Sequence, residues 1–251
     1  MSGCRRILTL NARKATIVTQ VLLIILVSIL LSGCMYPKER RAENQVPSTF
    51  YLEATQKAID QFHQETGVLP IVTKKLDTPI FEKYEIDFTK MMPKYIPDVP
   101  ANAFEKGGVY MYVLIDVETK PTVRLINLSM VSQLADVQQA VNRYVGSKNQ
   151  LPTKQELGNG YYTIDYDAIR MKEVQVNSLV SQTFLPLIMN EKGDVGIDYA
   201  SDIASILRST KAQVPKDTDP RYVMARESMF VPAKSFPYTM ENGDPVLLKL
   251  Q

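Results

Sequence analysis

Two stretches of this chain can be laid over one another without a gap, and any fold it adopts has to accommodate both. At an offset of 82, Thr55 to Pro70 (TQKAIDQFHQETGVLP) lies over Val137 to Pro152 (VQQAVNRYVGSKNQLP). Gln56, Ala58, Leu69 and Pro70 recur as Gln138, Ala140, Leu151 and Pro152, while Ile59, Asp60 and Phe62 recur conservatively as Val141, Asn142 and Tyr144. After a gap of four, Tyr84-Glu85-Ile86-Asp87-Phe88 matches Tyr162-Thr163-Ile164-Asp165-Tyr166. Chance likeness between two amphipathic helices explains shared apolar spacing. It does not explain two blocks in the same order, each with identical polar residues, so the reading is an internal repeat.

The spacing says what each repeat builds. Tyr51, Ala54, Ala58, Ile59 and Phe62 make the stripe of an amphipathic helix that stops at Gly67, and Met130, Leu134, Val137, Val141 and Tyr144 make a second that ends near Gly146. Val109 to Val117 and Thr122 to Leu128 are β-rich and flank Glu118-Thr119-Lys120-Pro121, which predicts a hairpin. A weaker counterpart runs Leu187-Ile188-Met189, a turn at Asn190 to Asp194, then Val195 to Tyr199. A shorter third helix is expected from Asp202 to Lys211, capped by Ser201 with Ile203, Ile206 and Leu207 as its face. Each unit therefore reads as helix, Leu-Pro turn, short strand, hairpin. The predicted fold class is α+β, with two tandem helix-plus-antiparallel-β units and a Pro-rich C-terminal extension.

The N-terminus carries a different signal. Residues 1–33 hold Arg5, Arg6, Arg13 and Lys14 with no acid, followed by an apolar run from Ala15 to Leu31. A basic stretch before an apolar one is a secretory signal and stands outside the fold. The run ends in Leu31-Ser32-Gly33-Cys34, which resembles the lipobox of bacterial lipoprotein signal peptides. That resemblance implies diacylglyceryl transfer to the Cys34 thiol and cleavage between Gly33 and Cys34. An uncleaved membrane-spanning helix is the alternative, with about 17 residues at the short end of the spanning range. Both readings place the remaining chain outside the cytoplasmic membrane. Cys4 would leave with the signal and Cys34 would become a thioether, so thiol catalysis and disulfides are excluded from the mature chain.

Charge and composition narrow the classes further. The chain has 29 Lys+Arg against 27 Asp+Glu, and removing the four basic residues of the signal leaves 25 against 27, a net charge of −2. The surplus of basic charge belongs to the export signal, and nothing in the rest suggests nucleic acid. Residues 34–49 are polar and charged and read as a tether, in which Arg40 and Arg41 stand close enough to the anchor to touch anionic headgroups. The first unit is expected over 50–128 and the second over 129–211. Residues 212–251 contain five of the 15 prolines, which forbid a long helix, yet Tyr222, Met229, Phe230, Phe236 and Tyr238 make them too apolar for a solvated linker. The expectation is an extended tail packed on the second unit; ordering on a partner is the alternative.

Within Ala58 to Asp116 the order is helix, Thr66-Gly67-Val68-Leu69-Pro70, Met92-Pro93-Lys94-Tyr95-Ile96-Pro97, then Tyr110-Met111-Tyr112-Val113. This resembles the globular part of type IV pilins and pseudopilins, where a β-meander opening in tyrosines covers a helix. It departs from them in having a lipobox and tether where pilins have a continuous hydrophobic N-terminal helix, which removes the usual basis for filament assembly. Over the whole mature chain the pattern is similar to lipoproteins of Bacillus-like Firmicutes, a resemblance that implies location and no activity.

Catalytic constellations are hard to assemble from what remains. His63 is the only histidine and reads as a surface residue on a helix flank, and neither G-x-S-x-G nor S-x-x-K occurs. No phosphate-cradling glycine loop and no EF-hand spacing is present. Asp165 and Asp167, two apart on a predicted strand, would put both carboxylates on one face, and are weak candidates for a calcium or acid–base site. The 21 aromatics, 13 Tyr and 8 Phe with no Trp, serve as core or as contact residues. The expected function is a non-enzymatic, lipid-anchored interaction or scaffold protein on the extracytoplasmic face of the cell membrane. Its expected partners are the membrane, through Cys34, and envelope proteins; no cofactor and no nucleic acid are expected. A solute-binding lipoprotein of an ABC importer is the alternative, and a wall-active hydrolase using Asp165 and Asp167 a third reading.

Overall fold

The computed structural model describes residues 48–249 and the single upstream position Gln20, so Gly33 and Cys34 lie outside the described residues. Helix α1, Ser48–Thr66, is stopped by Gly67 at φ 73°, a left-handed value that glycine adopts without steric cost. Its buried face is Leu52, Thr55, Ala58, Ile59 and Phe62. The expected stripe had the right period but passed through Ala54, which is exposed. A short helix α2, Ile80–Lys83, and two 3-10 turns, Phe88–Lys90 and Phe104–Lys106, lead to the antiparallel hairpin of β1, Tyr110–Ile115, and β2, Thr122–Asn127. Helix α3, Leu128–Lys148, starts at Asn127, whose side chain accepts the N–H groups of Ser129 and Met130, and ends on Asn149 in the left-handed region. It buries Met130, Leu134, Val137, Ala140 and Val141.

Strands β3 (Thr153–Gly158), β4 (Tyr161–Ile164), β5 (Gln175–Asn177), β6 (Phe184–Asn190) and β7 (Val195–Ile197) form one antiparallel sheet, β6 pairing with β4, β5 and β7. Helix α4, Ala200–Thr210, follows. Ser201 does not cap it. The Ala200 N–H donates instead to the carboxylate of Asp198 at 2.9 Å. The chain is thus α+β, a mixture of helices and antiparallel sheet.

Residues that recur in the sequence make the same bonds in both segments. Gln56 Nε2 donates to Asp60 (2.9 Å) and to the Pro121 carbonyl (3.0 Å), while its Oε1 accepts the Val123 N–H (2.8 Å). Gln138 Nε2 donates to Asn142 (2.9 Å) and to the Gly193 carbonyl (2.8 Å), while its Oε1 accepts the Val195 N–H (2.6 Å). A glutamine amide is one of the few side chains that can both donate to and accept from a strand backbone, which explains why the residue type recurs. The Asp87 N–H donates to Pro70 O at 2.8 Å, and the Asp165 N–H to Pro152 O at 2.7 Å. Ile71 pairs with Ile86 and Glu85 with Val113; Thr153 pairs with Ile164 and Thr163 with Ile188. In each segment the helix is latched to the outer strand of a hairpin, and the Leu-Pro turn lays its strand on the far side.

One buried position departs from this matching. The Thr55 hydroxyl is buried without a hydrogen-bond partner, where the second segment has Val137. An unpaired buried hydroxyl carries a desolvation cost that valine, of nearly the same shape, lacks. Thr55→Val is therefore expected to stabilise the fold by about 1 kcal/mol. The check is a higher urea midpoint at unchanged m; a lower midpoint contradicts the assignment.

The last 40 residues are not simply extended. They contain helix α5, Arg221–Glu227, and the hairpin of β8, Tyr238–Glu241, and β9, Asp244–Leu247. They also join both segments rather than the second alone. The Leu125 N–H donates to Met229 O (2.9 Å) and the Val231 N–H to Leu125 O (3.1 Å), so the tail lies along β2; five residues after Met229, the Ile197 N–H donates to Lys234 O (2.8 Å) on β7. Both hairpins would otherwise end in an open outer strand, and the same short stretch of tail covers each. Arg124 donates to the Ala225 and Arg226 carbonyls, closing the C-terminal end of α5, and Arg226 forks onto Asp116 at 2.7 and 2.8 Å. Val223, Met224 and Tyr238 enter the core of the second segment, and Ala225, Val231 and Ala233 pack with Phe81, Val113 and Ile126 of the first. Among the described residues no helix is long and apolar enough to cross a membrane.

Candidate functional site

The carboxylates singled out from the sequence sit on a real indentation. A groove of about 560 Å³ is bordered by Lys154, Thr163, Asp165, Asp167, Lys172 and Glu173, among others, with Tyr166 and Leu187 on its wall. The two aspartates are not on a strand face, however. Strand β4 ends at Ile164, and Asp165 and Asp167 lie in the turn that follows. The period-two argument fails because the backbone leaves the extended conformation at Asp165. The Asp165 carboxylate accepts the Ala168 N–H at 3.0 Å and so organises this turn, as Asp87 accepts the Thr89 N–H (3.1 Å) at the matching place in the first segment. Asp167 is exposed. Tyr166 donates to the Val174 carbonyl at 3.3 Å, and burial pushes its pKa up to about 12, so it stays neutral. The groove therefore shows one turn-capping carboxylate and mixed surface charge. Asp165→Asn keeps an oxygen for Ala168, and Asp167→Asn touches an exposed residue. Both are expected to leave stability within about 0.5 kcal/mol and any cellular effect intact; loss of that effect at normal stability would reinstate a catalytic or ligand role.

A second constellation was not legible in the sequence. Asp202, in the first turn of α4, is 1% exposed. Its carboxylate accepts hydrogen bonds from the hydroxyls of Ser178 and Ser181, and the Ser178 Oγ accepts the N–H groups of Val180 (3.0 Å) and Ser181 (2.9 Å). The expected helix began at Asp202, with no role given to that residue. The sequence offers no more than a Ser-x-x-Ser spacing at Ser178 and Ser181, which on its own is common. A serine beside an aspartate suggests nucleophile chemistry, but the imidazole that would take the proton is absent: His63 is exposed in the last turn of α1. The arrangement pins the loop after β5 to α4. Asp202→Ala would take away the carboxylate that the buried Ser178 hydroxyl donates to and is expected to cost about 2–3 kcal/mol, read as a lowered melting temperature. An unchanged melting temperature would contradict the structural role.

Among the described residues no three His, Cys, Asp or Glu side chains come together in a way that could hold a metal ion. Cys34 and Gly33, expected from the sequence as lipidation and cleavage residues, lie outside the described residues.

With the geometry in place, comparison with known proteins adds one finding. Residues 48–127 are similar to the YphF family N-terminal domain. The match begins at the first residue of α1 and ends at the last residue of β2, so it covers the helix, the Leu-Pro turn and the hairpin of the first segment. Comparison with curated proteins and with solved structures gives no match.

Proposed function

We propose that the protein is a lipoprotein, anchored by a diacylglyceryl group on Cys34 to the extracytoplasmic face of the cell membrane, where it acts non-enzymatically as an interaction or scaffold protein. The observation that carries the anchor is Leu31-Ser32-Gly33-Cys34 directly behind a basic and then an apolar stretch. The similarity to lipoproteins of Bacillus-like Firmicutes belongs to the same reading. Small residues before the cysteine suit an extended backbone in a peptidase cleft, and the cysteine is the strongest nucleophile available there. We further propose that residues 50–128 and 129–211 descend from one duplicated helix-on-hairpin unit. The matched bonds of Gln56 and Gln138 and the limits of the family match support this.

The engagement of Asp165 in a turn and of Asp202 in a loop clamp favours an interaction role over hydrolysis. The solute-binding alternative calls for two parallel α/β lobes closing on a cleft, and the antiparallel sheets of residues 48–249 speak against it. Photo-crosslinking of the membrane-anchored protein in intact cells tests the proposal. A discrete, reproducible adduct with one envelope protein is expected. No adduct, together with a thermal shift above about 3 °C for one member of a solute panel, would replace the scaffold by a binding protein.

A further inference from the structure

The end of the fold at which the tether enters is aromatic. Helix α1 begins at Ser48, so only 13 residues separate it from Cys34. A chain of that length spans at most about 45 Å even when fully extended. Phe50 and Phe104 are among the most exposed large apolar residues, at 64% and 58%. They belong to one neighbourhood. The Phe50 ring meets Tyr51 edge-on at 5.6 Å, the Tyr110 ring meets Phe230 at 5.8 Å, and Ala103, next to Phe104, pairs with Tyr110. Tyr51, Tyr110 and Phe230 all pack against the same core, which also holds Ala103 and Tyr112. Met229, beside Phe230, is exposed as well.

Exposed Phe on a soluble domain costs hydration free energy unless something covers it, and rings with one polar end suit the boundary between acyl chains and headgroups. We propose that this aromatic end of the first segment docks on the bilayer surface, Phe50 and Phe104 entering the interface beside the anchor. The occupant is the membrane because the chain runs from this patch to its lipid attachment within the reach of 13 residues. Lys38, Arg40 and Arg41 on that stretch draw it toward anionic headgroups. A surface too weak to bind a membrane alone binds when an anchor raises its local concentration. The inference rests on the lipoprotein reading. Docking fixes the orientation of the fold, presenting the far end of α1, about 28 Å away, to the envelope.

The absence of tryptophan from the chain supplies the test. Phe50→Trp, Phe104→Trp and, as control, Val68→Trp each introduce a single tryptophan, excited selectively over the 13 tyrosines, into the full-length lipidated protein. Val68 is 59% exposed just beyond the C-terminal end of α1. The proteins are reconstituted in phosphatidylethanolamine–phosphatidylglycerol vesicles with and without brominated acyl chains, and the mass of each N-terminal peptide is read from the same sample. The expected result is a blue-shifted emission for Phe50→Trp and Phe104→Trp, quenched by bromine at least about twofold more than Val68→Trp. Quenching no greater than the control, with the diacylglyceryl mass present on Cys34, overturns docking and leaves the anchor standing. A blue shift without bromine quenching overturns it in favour of a protein cover. A free Cys34 thiol removes the anchor, and docking falls with it.

Discussion

A chain ending at Lys211 is expected to lose its cooperative unfolding transition and to bind a hydrophobic dye under native conditions. The reason lies in where residues 212–251 go. Val223, Met224, Val231 and Tyr238 are buried, and each contributes about 1.5–3 kcal/mol of burial. Together they approach the whole stability of an ordinary domain, about 5–15 kcal/mol. Their loss also opens the outer strands β2 and β7, whose Leu125 and Ile197 N–H groups donate to Met229 and Lys234. Arg124, deprived of the Ala225 and Arg226 carbonyls, would be left with only its bond to Val123. Calorimetry of residues 35–211 beside residues 35–251 decides the matter. A sharp transition within a few degrees of the longer chain would mean that the tail decorates the fold instead of closing it.

Cys34→Ala is expected to abolish membrane retention of the processed protein, leaving either released chain or uncleaved precursor. Two acyl chains at about 0.8 kcal/mol per buried methylene supply more than ~20 kcal/mol, so a chain cleaved without them should leave the membrane fraction almost completely, while uncleaved precursor is told apart by its larger size. The aromatic end of the fold has no such strength: a few partly inserted rings contribute a few kcal/mol, enough to orient an anchored domain and too little to hold a free one. Fractionation of cells carrying the variant, with protein size read on the same gel, is the check. Unchanged size and unchanged retention would remove the lipobox reading.

Much of the fold was legible because period and order survive in a sequence. The two long helices, the β1–β2 hairpin and the α+β class follow from apolar spacing, and Gln56 and Gln138 were visible as a recurring residue. What the glutamines do was not visible, since their strand partners lie tens of residues away. Phase was harder than period: Ala54 and Thr55 differ by one position, and Thr55, the polar one, is buried. Strand β3 is exposed along its whole length at a sheet edge, so it shows no alternation to read. Asp165 was misplaced because a carboxylate that ends a strand and one that lines it have the same local spelling. Asp202 was missed because only folding brings Ser178 and Ser181 to it. The tail escaped because its pairings with Leu125 and Ile197 are decided by which strand edges remain open.

The claim on which the account turns is that the mature protein begins at a lipidated cysteine. Mass spectrometry of the N-terminal peptide of protein extracted from membranes measures this directly. The account predicts a peptide starting at Cys34 with a diacylglyceryl group on its sulfur; residues 1–33 still attached, or an unmodified thiol at Cys34, would contradict it.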